Sequence, residues 1–389
     1  MASNVLTALM PSFYKGLNTV QQEITDVIDA VSQNMSLEQA ALNQTITYPI
    51  AKSASLVNTP QSGVPDPSTY GQTPGIGTLS ISNMQSGIFV YNGEEIHQLQ
   101  VAGIYADYYA DQMAQQVRAL RKAVASSIIT AALSGASRCC GTPGTAPFGT
   151  AGVLTGFATP NQILYQNGSP GSDRHMILGT NAIASIQGYQ SVLFKANEAG
   201  TDRLLRTGTI GSVEGWAVGL DTTISTVSTF GTSSGDENTG AISVGDISFV
   251  LNSAGNGGSV LAGDTFHFTG DTTNVYVVAS VSSRTITINA PGFRAAVSAS
   301  TVVVFNSTAG QPNLFFTRDA ITLIARQPKI ATGNSPAGQL MDLTTIPDPR
   351  SGLIYQLAMW QNGRTIAIEV SLAWGVGVTN PQDLGILWG

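Results

Sequence analysis

Hydrophobic positions along the chain switch between helical and strand periods, and the switches divide it. Near the N-terminus Val20, Ile24, Val27, Ile28 and Val31 fall at helical spacing, with Glu23, Asp26 and Asp29 on the other side. Residues 1–44 are therefore expected to form an arm built around one amphipathic helix. From Thr45 the period becomes two: Ile46, Tyr48 and Ile50 alternate, as do Leu79 with Ile81 and Ile88 with Val90. Between these runs Pro60, Pro65, Pro67, Tyr70 and Pro74 stand in a Pro/Gly-rich stretch, Asn58 to Gly77. Such a stretch supports neither a helix nor a central strand. Residues 45–93 are expected to form an extended hairpin with a long tip, which needs a surface outside the subunit to rest on.

The strongest helical pattern follows, from about Glu94 to Ser137. Val101, Ile104, Tyr108, Met113, Val117, Leu120, Val124, Ile128 and Ala131 step by three to five residues along one face. The acids Glu94, Glu95, Asp107 and Asp111 come first and the bases Arg118, Arg121, Lys122 and Arg138 last, an order that suits the helix dipole. Some 30 helical residues make a rod of roughly 45 Å. Cys139 to Gly144 is expected to end it. A second helix is expected over Asn181–Phe194.

Between Leu220 and Gly310 the only bases are Arg284 and Arg294, and short alternating runs recur. These are Asp246–Leu251, Asp264–Gly270, Val275–Val281, Thr285–Ile288 and Thr301–Phe305. They predict a small β-barrel or sandwich inserted into the main domain. Strands resume after Asn313. The segment Val370–Gly389 is apolar, with Asp383 as its one charge. Val370, Leu372 and Trp374 alternate there, and Leu387 and Trp388 are expected to be buried. The fold class is α+β.

Composition makes assembly the theme. Charged residues are 11% of the chain, against about 25% in ordinary soluble domains. A compact monomer of this size exposes roughly 14,500 Å², so the 17 basic and 24 acidic residues leave roughly 350 Å² to each charge. So thin a coat fits a chain that buries surface against copies of itself. A β protein solvated by Ser and Thr hydroxyls would show the same composition. The net charge of −7 and only five lysines argue against tight nucleic-acid binding, which needs clustered cations. No run of about 18 apolar residues is present, so no membrane span is expected. Nor is a secretory leader, since no basic segment precedes a continuous apolar run at the N-terminus.

Candidate chemistry is sparse. His97, His175 and His267 are far apart and have no metal-ligand neighbours at helical or hairpin spacing, so no metal site is expected. The only cysteines, Cys139 and Cys140, are adjacent and give no disulfide framework. Gly231-Thr232-Ser233-Ser234-Gly235 matches G-x-S-x-G. A nucleophile elbow needs a strand before it and a helix after it, and this match lies in a polar Gly/Ser-rich loop. Neither an enzyme nor a cofactor is expected.

Three stretches carry a family resemblance: Gly208–Thr226, Gly263–Gly270 with Arg284–Pro291, and Asn313–Ile330 with Glu369–Gly389. They resemble, in order, the lead-in, barrel strands and return to the shell domain of the major capsid protein of tailed bacteriophages, with the Hong Kong 97-type fold. More narrowly, they are similar to the podovirus coat-protein family typified by phage P-22, whose members carry an insertion domain. Over the first 200 residues only the order of elements agrees. The resemblance implies an N-terminal arm (1–44), an extended loop (45–93), a spine helix of the peripheral domain (94–140) and a first axial part (141–219). An inserted β-barrel (220–310), an axial return (311–345) and peripheral strands with the C-terminus (346–389) complete it.

It also implies pentamers and hexamers of this chain in an icosahedral shell, a scaffolding protein, a portal protein and enclosed double-stranded DNA. The place would be the virion, assembled in the host bacterial cytoplasm. Within that frame the acidic face Glu23, Asp26 and Asp29 is expected to receive a basic scaffold helix. Another multimeric phage protein (tail tube, decoration or fibre component) is the alternative.

Overall fold

The computed structural model describes residues 11, 14–17, 23–50, 75–101, 103, 105–190, 210–252, 259–330 and 339–389. The first elements are α1 (Asp26–Ala30), β1 (Ser32–Ala40), β2 (Thr45–Ile50), β3 (Gly75–Ser80), β4 (Asn83–Asn92), α2 (Gly93–Val101) and α3 (Tyr105–Gly135). Next come β5 (Arg138–Gly141), α4 (Thr155–Asn167), β6 (Arg174–Leu178), α5 (Thr180–Tyr189), β7 (Ser212–Val213) and β8 (Trp216–Leu220). β9 (Ser248–Val250), β10 (Thr265–Phe268), β11 (Asp271–Ser282), β12 (Thr285–Ile288) and β13 (Val303–Phe305) follow. The chain finishes with β14 (Pro312–Thr317), β15 (Ile321–Pro328), β16 (Gln339–Pro347), β17 (Ile354–Asn362), β18 (Thr365–Val378) and β19 (Leu384–Trp388).

A six-stranded sheet is built on β18. Its alternating sequence turns Ile368, Val370, Leu372 and Trp374 to one side, where they share a core with Met113, Val117, Leu120, Val124 and Ile128 of α3. Burying each such side chain contributes roughly 1.5–3 kcal/mol. The Trp374 indole Nε1 also donates to Ser127 Oγ at 3.1 Å, so the largest side chain of the strand is fixed in rotation as well as buried. One flank of β18 carries β4. The other carries β17, then β16, over the first half and β15, then parallel β1, over the second. β3 crosses close to β18 at Gly375, where a Cβ would meet the Ser80 carbonyl oxygen at 2.1 Å. Among the described residues β2 and β3 pair only with each other, as a ribbon.

The second sheet runs β13-β10-β11-β5-β19-β14-β6-β8-β7, with β12 and β9 branching from β11. The C-terminal strand β19 lies inside it, parallel to β5 and antiparallel to β14. Strands β9–β13 enclose an aromatic core of Phe249, Phe266, Phe268, Tyr276 and Phe293. They do not stand apart: β11 pairs with β5 through Val275–Cys139 and Tyr276–Arg138. Two side chains reinforce that seam. Arg138 donates through Nη1 to Gln166 Oε1 at 2.7 Å and through Nη2 to Asn274 Oδ1 at 2.6 Å. Asn289 Nδ2 donates to the carbonyls of Ser134 and Ala136 at 2.9 and 3.0 Å. It thereby satisfies carbonyls that the end of α3 leaves without helical partners.

The chain crosses between the sheets at Ala136–Ser137, at Arg318–Ala320 and at Pro381–Asp383. The crossings are tied together: Thr379 N donates to Ala320 O at 2.9 Å and Ser137 N to Leu384 O at 3.1 Å.

Several expectations need correction. Among the described residues the expected N-terminal helix is present only over Asp26–Ala30, with Val20 outside them, and from Ser32 the chain forms β1 beside β15. The spine is two helices, since Gly103 takes a left-handed φ of 73° that no helix propagates. Residues 138–141 are a strand, not the end of the helix. A boundary at 345/346 does not follow the sheets, since β15 and β16 share one sheet with β17 and β18.

Two outcomes are expected. Truncation after Asn380 removes β19 from between two partners, and the shortened chain should show no cooperative unfolding transition in urea. Asn289→Ala should lower stability by about 1–3 kcal/mol, because two carbonyls lose their donor; the urea midpoint measures it.

Candidate functional site

Two of the three acids expected on the face of the N-terminal arm are paired within the chain. Glu23 accepts from Arg118 of α3 through both oxygens, Nε–Oε2 at 2.8 Å and Nη2–Oε1 at 2.9 Å, with Lys122 Nζ 3.8 Å away. The Arg118 guanidinium holds the Glu23 carboxyl well below its ordinary 4.5, at about 2. Asp26 Oδ2 accepts from the backbone N–H of Leu220 at 2.9 Å. Asp29 is exposed, and its backbone carbonyl accepts from Arg318 Nη1 at 3.0 Å. Glu23 and Asp26 are thus engaged within the chain, and of the three expected acids only Asp29 is exposed. The cations answering the arm lie about a hundred residues away, beyond the reach of a periodicity argument.

On the long helix Val117, Leu120, Val124 and Ile128 are buried. Val101 and Tyr108 are not: they are 75% and 43% exposed, and Tyr109 takes the inward position against Phe89 and Tyr91. The break at Gly103 separates Val101 from α3, so one helical phase cannot run through both. Ile104 lies outside the described residues, as do Pro60, Pro65, Pro67, Tyr70 and Pro74. Trp374, Leu387 and Trp388 are all buried.

Reactive groups are locked in structural contacts. Burial pushes the Cys139 thiol up to about 12 and the Cys140 thiol higher still, the reverse of what a nucleophile needs. Ser233 donates to the Asp236 carboxylate from an irregular stretch. His175 Nε2 lies 3.0 Å from Asp173 Oδ1, and Arg318 Nε donates to Asp173 Oδ2 at 3.1 Å. That knot sits beside the Arg318–Ala320 crossing and includes the Asp29 carbonyl, so it joins both sheets to the arm. Among the described residues no group of three His, Cys, Asp or Glu is placed to hold a metal ion. No described helix is long and apolar enough to cross a membrane.

What the structure adds is an open apolar surface on the six-stranded sheet, on the side away from α3. Met84, Ile88 and Val90 of β4 and Met341 and Leu343 of β16 are 37–56% exposed there. Trp360 lies among them, its Nε1 donating to Glu369 Oε2 at 3.0 Å. The alternation of Ile88 with Val90 was legible in the sequence; which face it served was not.

No protein-family model matches the chain, and no curated protein matches it. Among solved structures it is similar to the capsid of the cyanophage P-SCSP1u, at 11% identity and TM-score 0.48, covering 95% of this chain and 89% of that one. It is similar to a chain of Mycobacterium phage Che8 at 15% identity and TM-score 0.43, covering 96% and 90%. The virus-like particle from Pyrococcus furiosus aligns at 10% identity and TM-score 0.43, covering 98% of both chains.

The Glu23 pair has a signed pH dependence. A carboxyl depressed to about 2 adds stability that is complete above its ordinary 4.5 and lost as pH falls through 2. Glu23→Gln should therefore lower the melting temperature at pH 7 and leave it unchanged near pH 2, as read by circular dichroism.

Proposed function

We propose that this chain is the major capsid protein of a tailed bacteriophage, assembling with copies of itself into pentamers and hexamers of an icosahedral shell. The observation that carries the reading is the surface. The chain exposes 19394 Å², about a third more than the roughly 14,500 Å² of a compact monomer of its mass. Only 17 basic and 24 acidic residues coat it. An open sheet face and a two-stranded ribbon, whose base packs on the six-stranded sheet through Leu79, are part of that surface. Many copies multiply weak contacts, so each can stay reversible during assembly. The net charge of −7 suits a container for double-stranded DNA, because a lining without clustered cations lets the polymer move.

The finer reading is the podovirus family typified by phage P-22, with the Hong Kong 97-type fold. Here β9–β13 supply the inserted barrel, residues 45–82 the extended loop, shorter than the expected 45–93 because β4 joins β18, and the six-stranded sheet with α3 the peripheral domain. A scaffolding protein and a portal are the partners, and the virion, assembled in the bacterial cytoplasm, is the place. The word-level resemblance over Gly208–Gly389 supports this reading.

Negative-stain microscopy of the expressed chain tests the proposal. Uniform spherical shells are expected; tubes or fibres point instead to a tail or fibre component, and monodisperse monomers overturn both. Deleting residues 58–74 should leave a folded subunit and reduce shell yield at least tenfold. Normal yield from that deletion refutes the role given to the loop.

A further inference from the structure

The edges of the two large sheets differ in how they meet solvent. A sheet edge offers unpaired N–H and C=O groups, and folded proteins close it by shortness, charge, proline or irregularity. β7, β9 and β13 are two or three residues long. β1 carries Glu38 and a register shift between Met35 and Gln39. β16 carries Asp342, an irregularity beside it and Pro347 at its end. β4 has none of these devices. Its ten residues contain no charge and no proline, and they pair with Thr365–Trp374 without a break in register. Among the described residues no strand lies on its other side. Met84, Ile88 and Val90 stand 38%, 56% and 54% exposed along its outer face. Its inner face is anchored, Phe89 packing on Tyr109 with ring centroids 5.4 Å apart.

We infer that the free edge of β4 pairs with β4 of a second copy of this chain, antiparallel about a two-fold axis, so that the sheet continues across the subunit boundary. This rests on the self-assembling reading and names one place where copies join. The strand is complementary to itself. With Ile88 opposite Ile88, Ser86 faces Val90 and Met84 faces Asn92 on the outer side. Gly87 then faces Phe89 and Gln85 faces Tyr91 on the inner side. No like charges meet, and at two of the pairs, Gly87 with Phe89 and Ser86 with Val90, a small residue opposes a larger one. A self-complementary patch is what a two-fold interface requires.

Two readouts on the full chain test it. In the first, Ile88→Cys is treated with a short thiol crosslinker, in particles and in concentrated solution, beside a Val244→Cys control. Val244 is 61% exposed on the insertion. Covalent dimers from Ile88→Cys and none from the control are expected, since opposed Cβ atoms lie about 5 Å apart. The second is amide exchange over residues 83–92. About half of those amides should gain protection on assembly, because alternate N–H groups point away from β18. Protection without crosslinking gives the edge to a different strand and overturns the pairing. Protection already complete in the isolated subunit gives it to the chain itself and overturns the pairing too, as does neither signal in intact particles. Crosslinked dimers without particles retain the pairing and count against the shell.

Discussion

Strand β18 is the constraint on which the rest of the subunit depends. It is paired along both flanks and packed on α3, and the other strands of its sheet take their register from it directly or through one neighbour. A buried strand of this kind tolerates little: shifting it by one residue would exchange Ile368, Val370, Leu372 and Trp374 for Ala367, Glu369, Ser371 and Ala373. Trp374 adds a second lock, because its hydrogen bond to Ser127 sets the position of the strand along the helix axis. From that lock the chain crosses at Pro381–Asp383 into the other sheet, so the two sheets are positioned relative to each other by the same few residues.

Strands β9–β13 share this coupling. They have a core of their own, yet β11 continues the larger sheet and Asn289 closes the end of α3. Arg138 is the point where three parts meet, reaching α4 through Gln166 and the insertion through Asn274. It is buried, and its two terminal nitrogens donate to neutral amides. Loss of solvent pushes its pKa below the ordinary arginine value, although a guanidinium remains charged. Removing either amide would leave a buried cation short of an acceptor, which costs far more than a surface contact. Strands β9–β13 are thus energetically coupled to the rest of the chain, and a unit that folds without regard to its surroundings is not the picture these contacts give.

How much of this was legible in the sequence followed from the range of the interactions involved. Alternation along Thr285–Ile288 or Val370–Trp374 is local and marked strands at those places. The phase of the long helix failed at its start, because one glycine in a left-handed conformation separates Val101 from Tyr109 and a periodic reading has no way to weigh that. Sheet membership was not legible: β1 and β15 are nearly three hundred residues apart, and nothing in either strand names its partner. The acids of the arm misled for the same reason. Glu23 looked solvent-facing because Arg118, which answers it, lies 95 positions later.

The distribution of charge bears on how copies can hold together. Ion pairs among the described residues tie parts of one subunit: Glu23 with Arg118 and Lys122, Asp173 with Arg318, Lys15 with Asp107. Charged residues are only 11% of the chain, so a surface shared between copies would carry few of them. Contacts between subunits then have to be made of backbone hydrogen bonds, hydroxyls and apolar side chains. Such contacts are individually weak, and screening by salt hardly affects them. Apolar contacts carry little angular preference, whereas backbone hydrogen bonds are directional. Specificity must therefore come from the shape and register of extended backbone, which a long uninterrupted edge such as β4 supplies and a patch of scattered apolar side chains does not.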